Sequence, residues 1–297
     1  MLQAAAEAAG DQHYPQGALY VVATPIGNLA DISFRAVHVL ALVDAIACED
    51  TRHSAPLLRR LGIDKPLLAL HQHNERAASA AVLERLGRGE RVACISDAGT
   101  PAISDPGAEL VAAARAAGYR TLPIPGASSV VAALSVSGDA KGSDFLFFGF
   151  LPARGRERAS AIERMAAQPS RAVVLEAPHR IGDLVDSLAR CAPDRGVTIC
   201  RELTKQFESV DSLPAADLPA WLAADPHRQR GEFVVVLHAL AERSDADTAE
   251  QAAGVHDKTL RALLAALPLK QAVAVAAELT GMARNALYAR ALQLKDR

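Results

Sequence analysis

Short apolar runs alternate with amphipathic stretches over residues 18–125. The runs are rich in Val, Ile, Leu and Ala, which favours buried strands, whereas the longer amphipathic stretches favour helices. Strands separated by helices of this kind are typical of βαβ units around a mostly parallel sheet. We therefore predict an N-terminal α/β domain over residues 18–126, with strands at 18–23, 44–49, 66–71, 92–96 and 120–125 and helices near 34–43, 54–61, 75–87 and 106–117.

The same alternation returns near residue 145 and predicts a second α/β domain over residues 145–240. Its strands are expected at 145–150, 172–177, 196–200 and 232–237. Between the two domains, residues 127–144 read as a connecting helix followed by a Gly-bearing linker. The fold class is thus α/β, with two α/β domains and a cleft between them where a ligand is expected.

The two ends of the chain lack this alternation. Residues 1–17 are rich in Ala, Gln and Gly and are predicted to be a mobile tail. The polar, Ala-rich residues 241–257 are predicted to be a linker. Residues 258–297 read as helices around a Gly-containing turn, similar to a helix-turn-helix. Packing helices that cover an edge or serve a dimer are an equally good interpretation.

Composition narrows the function only slightly. The net charge is −2 and the sequence pI is about 6.5, so bulk charge does not indicate a nucleic-acid partner, although a local basic patch would suffice. The first residues lack the pattern of a secretory signal, and no apolar stretch reaches the ~18 residues of a membrane span. The four Cys residues lack C-x-x-C spacing, which favours reduced thiols in a cytosolic protein.

One loop stands out, at residues 91–107, RVACISDAGTPAISDPG. A buried strand leads into it, and Asp105 followed by Pro106 predicts a helix start, because the carboxylate can accept hydrogen bonds from the first turn. Loops at the carboxyl ends of parallel strands are where open α/β proteins bind ligands. Gly99 would let a ligand approach the backbone closely. A tight turn without any ligand is the alternative.

The other strands of the first domain also end in loops with special residues, namely TPIGNL, EDTRHS, HQHNE and PGASS. Turn formation alone does not require the charged residues among them, so we predict a functional face at this edge of the sheet. His71 and His73 could form a metal pair, but no third ligand lies at useful spacing, and no metal site is predicted.

These motifs, together with SDAGTPAISDPG, the FLP segment at 150–152, LEAPHR at 175–180 and RELTK at 201–205, resemble the signature set of the tetrapyrrole methylase family. More closely, they resemble its bacterial branch that methylates the 2′-hydroxyl of a cytidine ribose in 16S ribosomal RNA of the small subunit. The resemblance covers roughly residues 18–240, and the C-terminal helices look like the helical segment appended in that branch.

The resemblance implies S-adenosylmethionine as cofactor, a homodimer, and 16S ribosomal RNA or the small ribosomal subunit as partner, with no membrane. Carried over motif by motif, the cofactor would contact residues of both domains: Pro25, Asp97, Ala98, Gly99, Thr100, Ile103, Ser128, Ser129, Ala177, Leu203 and Thr204. The family often has Gly-Gly-Asp where this chain has Ala98, Gly99 and Thr100, which weakens the expectation for the methionine end of the cofactor.

No residue is marked as the base that would assist the ribose hydroxyl. Charged residues at loop ends are the candidates, chiefly Glu49, Asp50, Glu75 and Lys205, with Glu176 and His179 also considered. For RNA, Arg154, Arg156 and Arg158 are predicted to lie in one flexible loop beside the cleft, with Arg52 adding to the basic surface. Surface salt bridges or an ordinary solvated face are the alternatives for all of these.

Three functions stay open from the sequence. The first is an RNA ribose 2′-O-methyltransferase. The second is a methylase of a small tetrapyrrole of the precorrin or uroporphyrinogen type, against which the EDTR, HNE and LEAPHR motifs argue. The third is a non-catalytic RNA-binding or DNA-binding protein that uses its helix-turn-helix-like end.

Overall fold

Ten strands in two five-stranded sheets form the framework of the protein in the computed structural model, which describes residues 1–71, 74–240, 260–281 and 284–295. Residues 1–239 form one compact unit, and residues 240–297 form another. The two α/β domains predicted from the sequence therefore belong to a single unit. Among the described residues, we find no helix with both the length and the apolar character that crossing a membrane requires.

The first sheet is entirely parallel, as the βαβ pattern predicted, with strand order β3-β2-β4-β1-β5. Its strands are β1 (Ala18–Val22), β2 (Ala45–Cys48), β3 (Leu67–Ala69), β4 (Val92–Ile95) and β5 (Arg120–Ile124). The accompanying helices are α1 (Leu2–Ala9), α2 (Phe34–Leu42), α3 (Thr51–Arg60), α4 (Glu75–Gly87) and α5 (Ala108–Ala116). Separate apolar cores cover its two faces, so β1, β2 and β4 are apolar on both sides.

The N-terminal residues differ from the predicted mobile tail. Residues 2–9 form α1, which buries Ala5 and Ala9 and packs against α2. Further along, the Tyr14 hydroxyl donates to the Ala9 carbonyl oxygen at 3.0 Å, and the Tyr20 hydroxyl donates to the Pro15 carbonyl oxygen at 2.8 Å. The small side chains of α1 allow this close packing, although they carry no strong hydrophobic signal in the sequence.

The second sheet is mixed, with order β6-β7-β10-β8-β9. Only β6 and β7 pair in parallel, and the other neighbours are antiparallel. Its strands are β6 (Phe145–Phe150), β7 (Arg171–Glu176), β8 (Gly196–Arg201), β9 (Ser209–Pro214) and β10 (Phe233–Leu237). Its helices are α6 (Ser129–Val136), α7 (Gly155–Ala166), α8 (Ile181–Cys191) and α9 (Leu218–Ala223).

Two features of this domain depart from the sequence prediction. The edge strand β9 was not predicted, because SVDSLP has no apolar run and its residues are only alternately half-buried. Helix α6, predicted as part of a connection, packs Val130 and Ala133 onto one face of the second sheet against Val173, Val234 and Val236. It is therefore a core helix of the second domain.

The C-terminal unit has its own small core. Residues 260–266 are helical, and they are followed by α10 (Leu269–Thr280) and α11 (Arg284–Lys295). Leu260, Val273 and Leu287 are buried together in this unit. Helix α10 ends at Gly281, which has the left-handed φ of 69° expected of a glycine stop signal. The predicted linker at 241–257 lies outside the described residues.

Candidate functional site

A cavity of about 410 Å³ lies where the loops after the first sheet meet one face of the second sheet. Loops that follow β1, β4 and β5 form one side, and strands β6, β7, β8 and β10 form the other. Its lining combines a mainly apolar wall with hydroxyl and carboxylate groups, and comprises Ile26, Ala98, Gly99, Thr100, Ile103, Ser104, Asp105, Ser128, Ser129, Val130, Phe147, Phe150, Leu175, Glu176, Ala177, Pro178, Cys200, Leu203, Glu232, Phe233 and Val234.

The loop after β4 is tied to the loop after β1. The amide of Thr24 donates to the Gly99 carbonyl oxygen at 2.9 Å, and the amide of Gly99 donates back to Thr24 at 3.1 Å. Gly99 has a φ of 79°, and a Cβ atom there would lie 3.3 Å from Cγ2 of Ile26. A glycine is therefore needed for both the backbone conformation and the close approach of the two loops.

Helix α5 does not start at Asp105 and Pro106, and the predicted cap at Asp105 is wrong. The helix begins at Ala108, and Glu75 caps it instead of Asp105: the amides of Gly107 and Glu109 donate to Oε1 of Glu75 at 2.8 and 3.1 Å. Asp105 lines the cavity, and burial raises the pKa of its carboxyl. The capping carboxylate comes from α4, so sequence proximity to α5 did not identify it.

The second-sheet wall is apolar and its buried charges are already paired. Glu176 at the end of β7 is only 2% exposed, and its carboxylate lies 2.8 Å from Nη2 of Arg158 and 2.9 Å from Nε of Arg180. Burial raises the pKa of the nearby Cys200 thiol to about 12, so this group lines the cavity as a neutral side chain. The wall therefore offers shape and apolar contact.

A second pocket, also of about 410 Å³, adjoins the cavity and shares Ile26, Ala98 and Glu232 with it. It lies between the loop after β1, the first turns of α3 and the start of the loop after β4. The rest of its lining is Pro25, Gly27, Leu29, His53, Ser54, Pro56, Leu57, Arg60, Ser96, Asp97 and Lys205. Two neighbouring compartments with a shared boundary could hold two reactants side by side.

The family model for "Tetrapyrrole (Corrin/Porphyrin) Methylases" matches residues 18–219, which include the cavity-lining loops after β1, β4, β5, β7 and β8 but not β10. The chain belongs to the tetrapyrrole methylase family. The model for the "RsmI C-terminal HTH domain" matches residues 248–295. The family seen in the motifs is thus confirmed, and the C-terminal match agrees with the predicted helix-turn-helix-like segment.

Curated relatives of this methylase resemble it along almost the whole chain. It is 47% identical to the "Ribosomal RNA small subunit methyltransferase I" of Pseudomonas aeruginosa over 93% of this chain and 97% of the relative. It is 43% identical to the protein of the same name from Escherichia coli O157:H7, over 94% of this chain and 96% of the relative.

Solved structures of family members share the fold. The uroporphyrin-III-C-methyltransferase of Thermus thermophilus superposes with a TM-score of 0.54 at 20% identity, over 75% of this chain and 94% of that chain. A cobalt precorrin-4 methyltransferase gives a TM-score of 0.56 at 15% identity, over 76% and 98%. These likenesses confirm the α/β architecture of the methylase family.

Most of the predicted cofactor residues are brought together. The predicted cofactor residues that line the main cavity are Ala98, Gly99, Thr100, Ile103, Ser128, Ser129, Ala177 and Leu203. Pro25 and Asp97 line the second pocket instead. Thr204 adopts a left-handed φ of 66°, and its hydroxyl is buried without a hydrogen-bond partner in the described residues. Its oxygen would lie 3.0 Å from a Cβ placed on Gly27, so it contacts the loop after β1.

The apolar side of the cavity was missed by sequence reasoning. Its members include Phe147, Leu175, Cys200, Phe233 and Val234, which lie in strands that the sequence predicts as ordinary core. No local signal separates a strand residue that faces a cavity from one that faces a helix. To identify them, one would have to know that the loops after β1, β4 and β5 lie against this face of the second sheet.

The four predicted catalytic residues do not gather at one point. Glu75 caps α5, as described above. Asp50 caps α3, which begins at residue 51, and hydrogen bonds from Arg52 lower its pKa to about 2. Glu49 lines neither pocket, and burial together with nearby carboxylates raises its pKa.

Lys205 alone of the four lines a pocket, the second one. Its ammonium group lies 2.9 Å from a carboxylate oxygen of Glu202 and 2.9 Å from one of Glu232. Burial opposes the charge, but these hydrogen bonds raise the pKa of Lys205. The lysine therefore keeps its proton and serves as a fixed cation.

The predicted RNA-binding arginines have different environments. Arg154 and Arg156 are exposed, and Arg52 has a side chain that is 87% exposed. The prediction of one flexible loop is wrong, because Arg156 and Arg158 both lie within α7. Arg158 is also 3% exposed and pairs with Glu176 and Asp183. Although burial opposes its charge, the hydrogen bonds to these carboxylates raise the pKa of Arg158. Arg158 is a structural residue.

The remaining side chains of interest are the potential metal ligands, namely His, Cys, Asp and Glu. In the described part of the chain, His, Cys, Asp and Glu side chains form no cluster of three or more that could hold a metal ion. His73, one of the two histidines considered as a pair, lies outside the described residues. All four cysteines are free, with Cys191 exposed and the other three buried.

Proposed function

We propose that this protein transfers a methyl group from S-adenosylmethionine to the 2′-hydroxyl of a cytidine ribose, cytidine 1402, in 16S ribosomal RNA of the small subunit. The observation that carries the proposal is the cavity built by the family's signature loops, in a chain whose curated relatives bear the name of a ribosomal RNA small subunit methyltransferase. Such a substrate places the protein with the ribosomal subunits in the cytoplasm.

The residues of the main cavity fit S-adenosylmethionine. Its volume of about 410 Å³ lies within the range of about 300 to 1,000 Å³ typical of small-molecule sites. Phe147, Leu175 and Val234 offer an apolar wall for a planar base. Opposite this wall, the backbone of Gly99 is exposed, and a Cβ atom there would crowd Ile26. The side chain of Ser128, which also lines the cavity, caps α6.

The bound cofactor supplies an electrophilic methyl group on a sulfonium. The protein's own contribution is to hold the ribose hydroxyl in line with that methyl, and such alignment can contribute ~7 to 11 kcal/mol of the barrier reduction. The second pocket is the place for the nucleotide, because it meets the cofactor cavity at Ile26 and Ala98. Arg60, a permanent cation in its lining, suits a phosphate-bearing substrate.

Exposed positive charges and the C-terminal unit each contribute to RNA binding. Arg52, Arg154 and Arg156 are exposed and can contact phosphates without any sequence preference. The C-terminal match to a helix-turn-helix domain supports a docking role for residues 248–295. Both features suit a folded subunit better than a small tetrapyrrole.

A homodimer is part of this proposal. Edge strand β6 exposes Phe145, Leu146 and Phe150, and α6 exposes Val131, all on the second domain. Exposed apolar side chains on an edge strand are a liability unless they are covered, and a second copy of the chain would cover them. Light scattering of the purified protein tests this, and a monomeric mass would contradict it.

Methylation of a small tetrapyrrole is the competing activity, supported by the shared fold with tetrapyrrole methylases. The decisive experiment gives the purified protein labelled S-adenosylmethionine and, in separate reactions, small subunits that lack the ribose methyl, protein-free 16S RNA, and uroporphyrinogen. We expect labelled cytidine ribose from one of the RNA substrates and no labelled tetrapyrrole. Label only in the tetrapyrrole, or label on a base, would contradict the proposal.

A further inference from the structure

A histidine and an aspartate form a hydrogen-bonded pair in the second pocket. Asp97 follows β4, and His53 lies in the first turn of α3. Nδ1 of His53 lies 3.1 Å from Oδ2 of Asp97. The other carboxylate oxygen, Oδ1, accepts a hydrogen bond from the backbone amide of Asp50 at 3.2 Å. Asp97 is thus fixed between two neighbouring strand ends and holds the imidazole.

This arrangement assigns different roles to the two ring nitrogens. With Nδ1–H donated to Asp97, the neutral imidazole has its acceptor lone pair on Nε2. The His53 side chain is 73% exposed and lines the second pocket, so Nε2 is open to a docked nucleotide. Ala98, next to Asp97 in the chain, lines both compartments, which places the pair beside their boundary.

The other charged groups around this pocket are already engaged or cannot accept a proton. They are Asp50, which is bound to Arg52; Lys205, which is bound to Glu202 and Glu232; Glu232 itself, whose carboxylate is held by Lys205 at 2.9 Å; and Arg60, a permanent cation. Among the ionisable side chains that line the pocket in the described part of the chain, His53 combines an oriented acceptor with an ordinary pKa near neutrality.

We propose that Nε2 of His53 accepts the proton of the ribose 2′-hydroxyl during methyl transfer, and that Asp97 is the positioning residue for His53. The inference rests on the proposed function. The 2′-oxygen forms the new bond to the methyl carbon, the carbon–sulfur bond breaks with its electron pair left on sulfur, and the hydroxyl proton passes to Nε2. Water then takes the proton from the imidazolium.

The pH dependence follows from the charges that surround His53. The hydrogen bond and negative charge of Asp97 raise the pKa of His53, burial opposes this slightly, Asp50 adds to it and Arg52 subtracts. Only the neutral imidazole can accept a proton, so the rate should rise with pH through this pKa. Asp97→Asn removes the largest raising contribution, and the rising limb should therefore move to lower pH.

The test measures single-turnover methylation of small subunits that lack the ribose methyl, with saturating cofactor, from mildly acidic to mildly alkaline pH. The variants are His53→Gln, Asp97→Asn and the control His227→Gln, an exposed histidine that lines neither pocket. Calorimetric titration of each variant with S-adenosylmethionine accompanies the rates, so that a folding defect is seen separately.

We expect His53→Gln to lower the rate by ~10²- to 10⁴-fold and to remove the rising limb, with cofactor affinity unchanged. Asp97→Asn should shift the limb to lower pH, and the control should match the wild type. A His53→Gln rate within a few-fold of wild type, or an unmoved limb in Asp97→Asn, would overturn the inference while leaving the proposed function standing. Absence of methylation by the wild type would overturn both.

Discussion

The two sides of the cleft differ in the kind of residue they contribute. The first side consists of the loops that follow the parallel strands, in which Gly99, Ser128 and Asp97 bring backbone, hydroxyl and carboxylate groups to the edge of the sheet. The second domain contributes the face of a sheet, with apolar side chains such as Phe147 and Val234. The second side thus contributes mainly shape, and its charged Lys205 is held between two carboxylates at the edge of the second pocket.

The ionisable groups of the two sides also differ, in their burial and in their pairing. On the second side, Glu176 is 2% exposed and is neutralised by Arg158 and Arg180, so it is structural. On the first side, the Asp97 and His53 side chains are 33% and 73% exposed and face the second pocket. A charge that is buried and paired supports the wall, whereas a partly exposed pair is available for chemistry.

The largest effect is expected from breaking the buried pair on the second side. Arg158→Met should destabilise the protein by about 3 to 5 kcal/mol, because Glu176 is left with a single cationic partner. Urea unfolding followed by fluorescence measures this, since the single tryptophan, Trp221, packs against the second-domain core.

The matched control is Arg156→Met, two residues away on the same helix but exposed. Its stability should stay within about 0.5 kcal/mol of wild type. Equal stability of Arg158→Met and Arg156→Met would show that Arg180 alone neutralises Glu176, and that the arginine network is not essential for the wall.

The next effect concerns the loop side. Gly99→Leu should weaken cofactor binding by about 100-fold or more, because the side chain would crowd Ile26 and fill the cavity, in addition to the strain of a left-handed residue of about 1 to 2 kcal/mol. Calorimetric titration with S-adenosylmethionine gives the affinity.

Gly118→Leu provides the comparison for this loop variant. Gly118 has a φ of 81°, close to that of Gly99, but a Cβ there meets nothing within 4 Å, and it precedes β5 at the other end of the sheet. It should incur the same backbone strain and keep its cofactor affinity. An equal loss of affinity in both variants would mean that strain, and not the cavity, explains the result.

A smaller effect tests the apolar wall. Val234→Ala and Val236→Ala each remove two carbons from the same face of β10, at a cost of about 2 kcal/mol in stability. Only Val234 lines the cavity, so only its truncation should weaken cofactor binding, by roughly 5- to 10-fold. If the two variants bind alike, the second sheet does not form the wall of the cofactor site.

The smallest effect concerns RNA. Arg154→Ala combined with Arg156→Ala should flatten the slope of log affinity against log salt by about 0.7 to 0.9 for each phosphate that is no longer neutralised, with cofactor affinity unchanged. Binding to small subunits at several salt concentrations gives the slope. A wild-type slope would assign these arginines to the solvated surface, and the RNA path would then run past Arg52.

The loop residues of the site could be predicted from the sequence, whereas the strand residues of the second side could not. Gly99 stands in a loop, where a residue that permits close backbone approach needs a reason, so it was predicted from the loop itself, and Ser128 was predicted from the family resemblance of its motif. Val234 and Cys200 stand in apolar strands, where the same residue types build every core, so their exposure to a cavity depends on a domain far away in the sequence.

Arginine and carboxylate roles were harder still. Arg158 and Arg156 look alike in the sequence, and only the folding of β7 against α7 brings Glu176 to one of them. Glu75 was expected in catalysis but caps α5. This role could not be predicted from the sequence, because the capped helix lies more than thirty residues further along the chain. His53 was overlooked because its partner, Asp97, belongs to a different loop.

The most direct test of the central claim is a crystal structure of the full chain with S-adenosylmethionine. The account predicts that the cofactor lies between Gly99 and the wall formed by Phe147 and Val234, with its methyl group directed toward the boundary with the second pocket at Ala98. A cofactor bound outside this cavity, or one whose methyl group faces away from the second pocket, would contradict it.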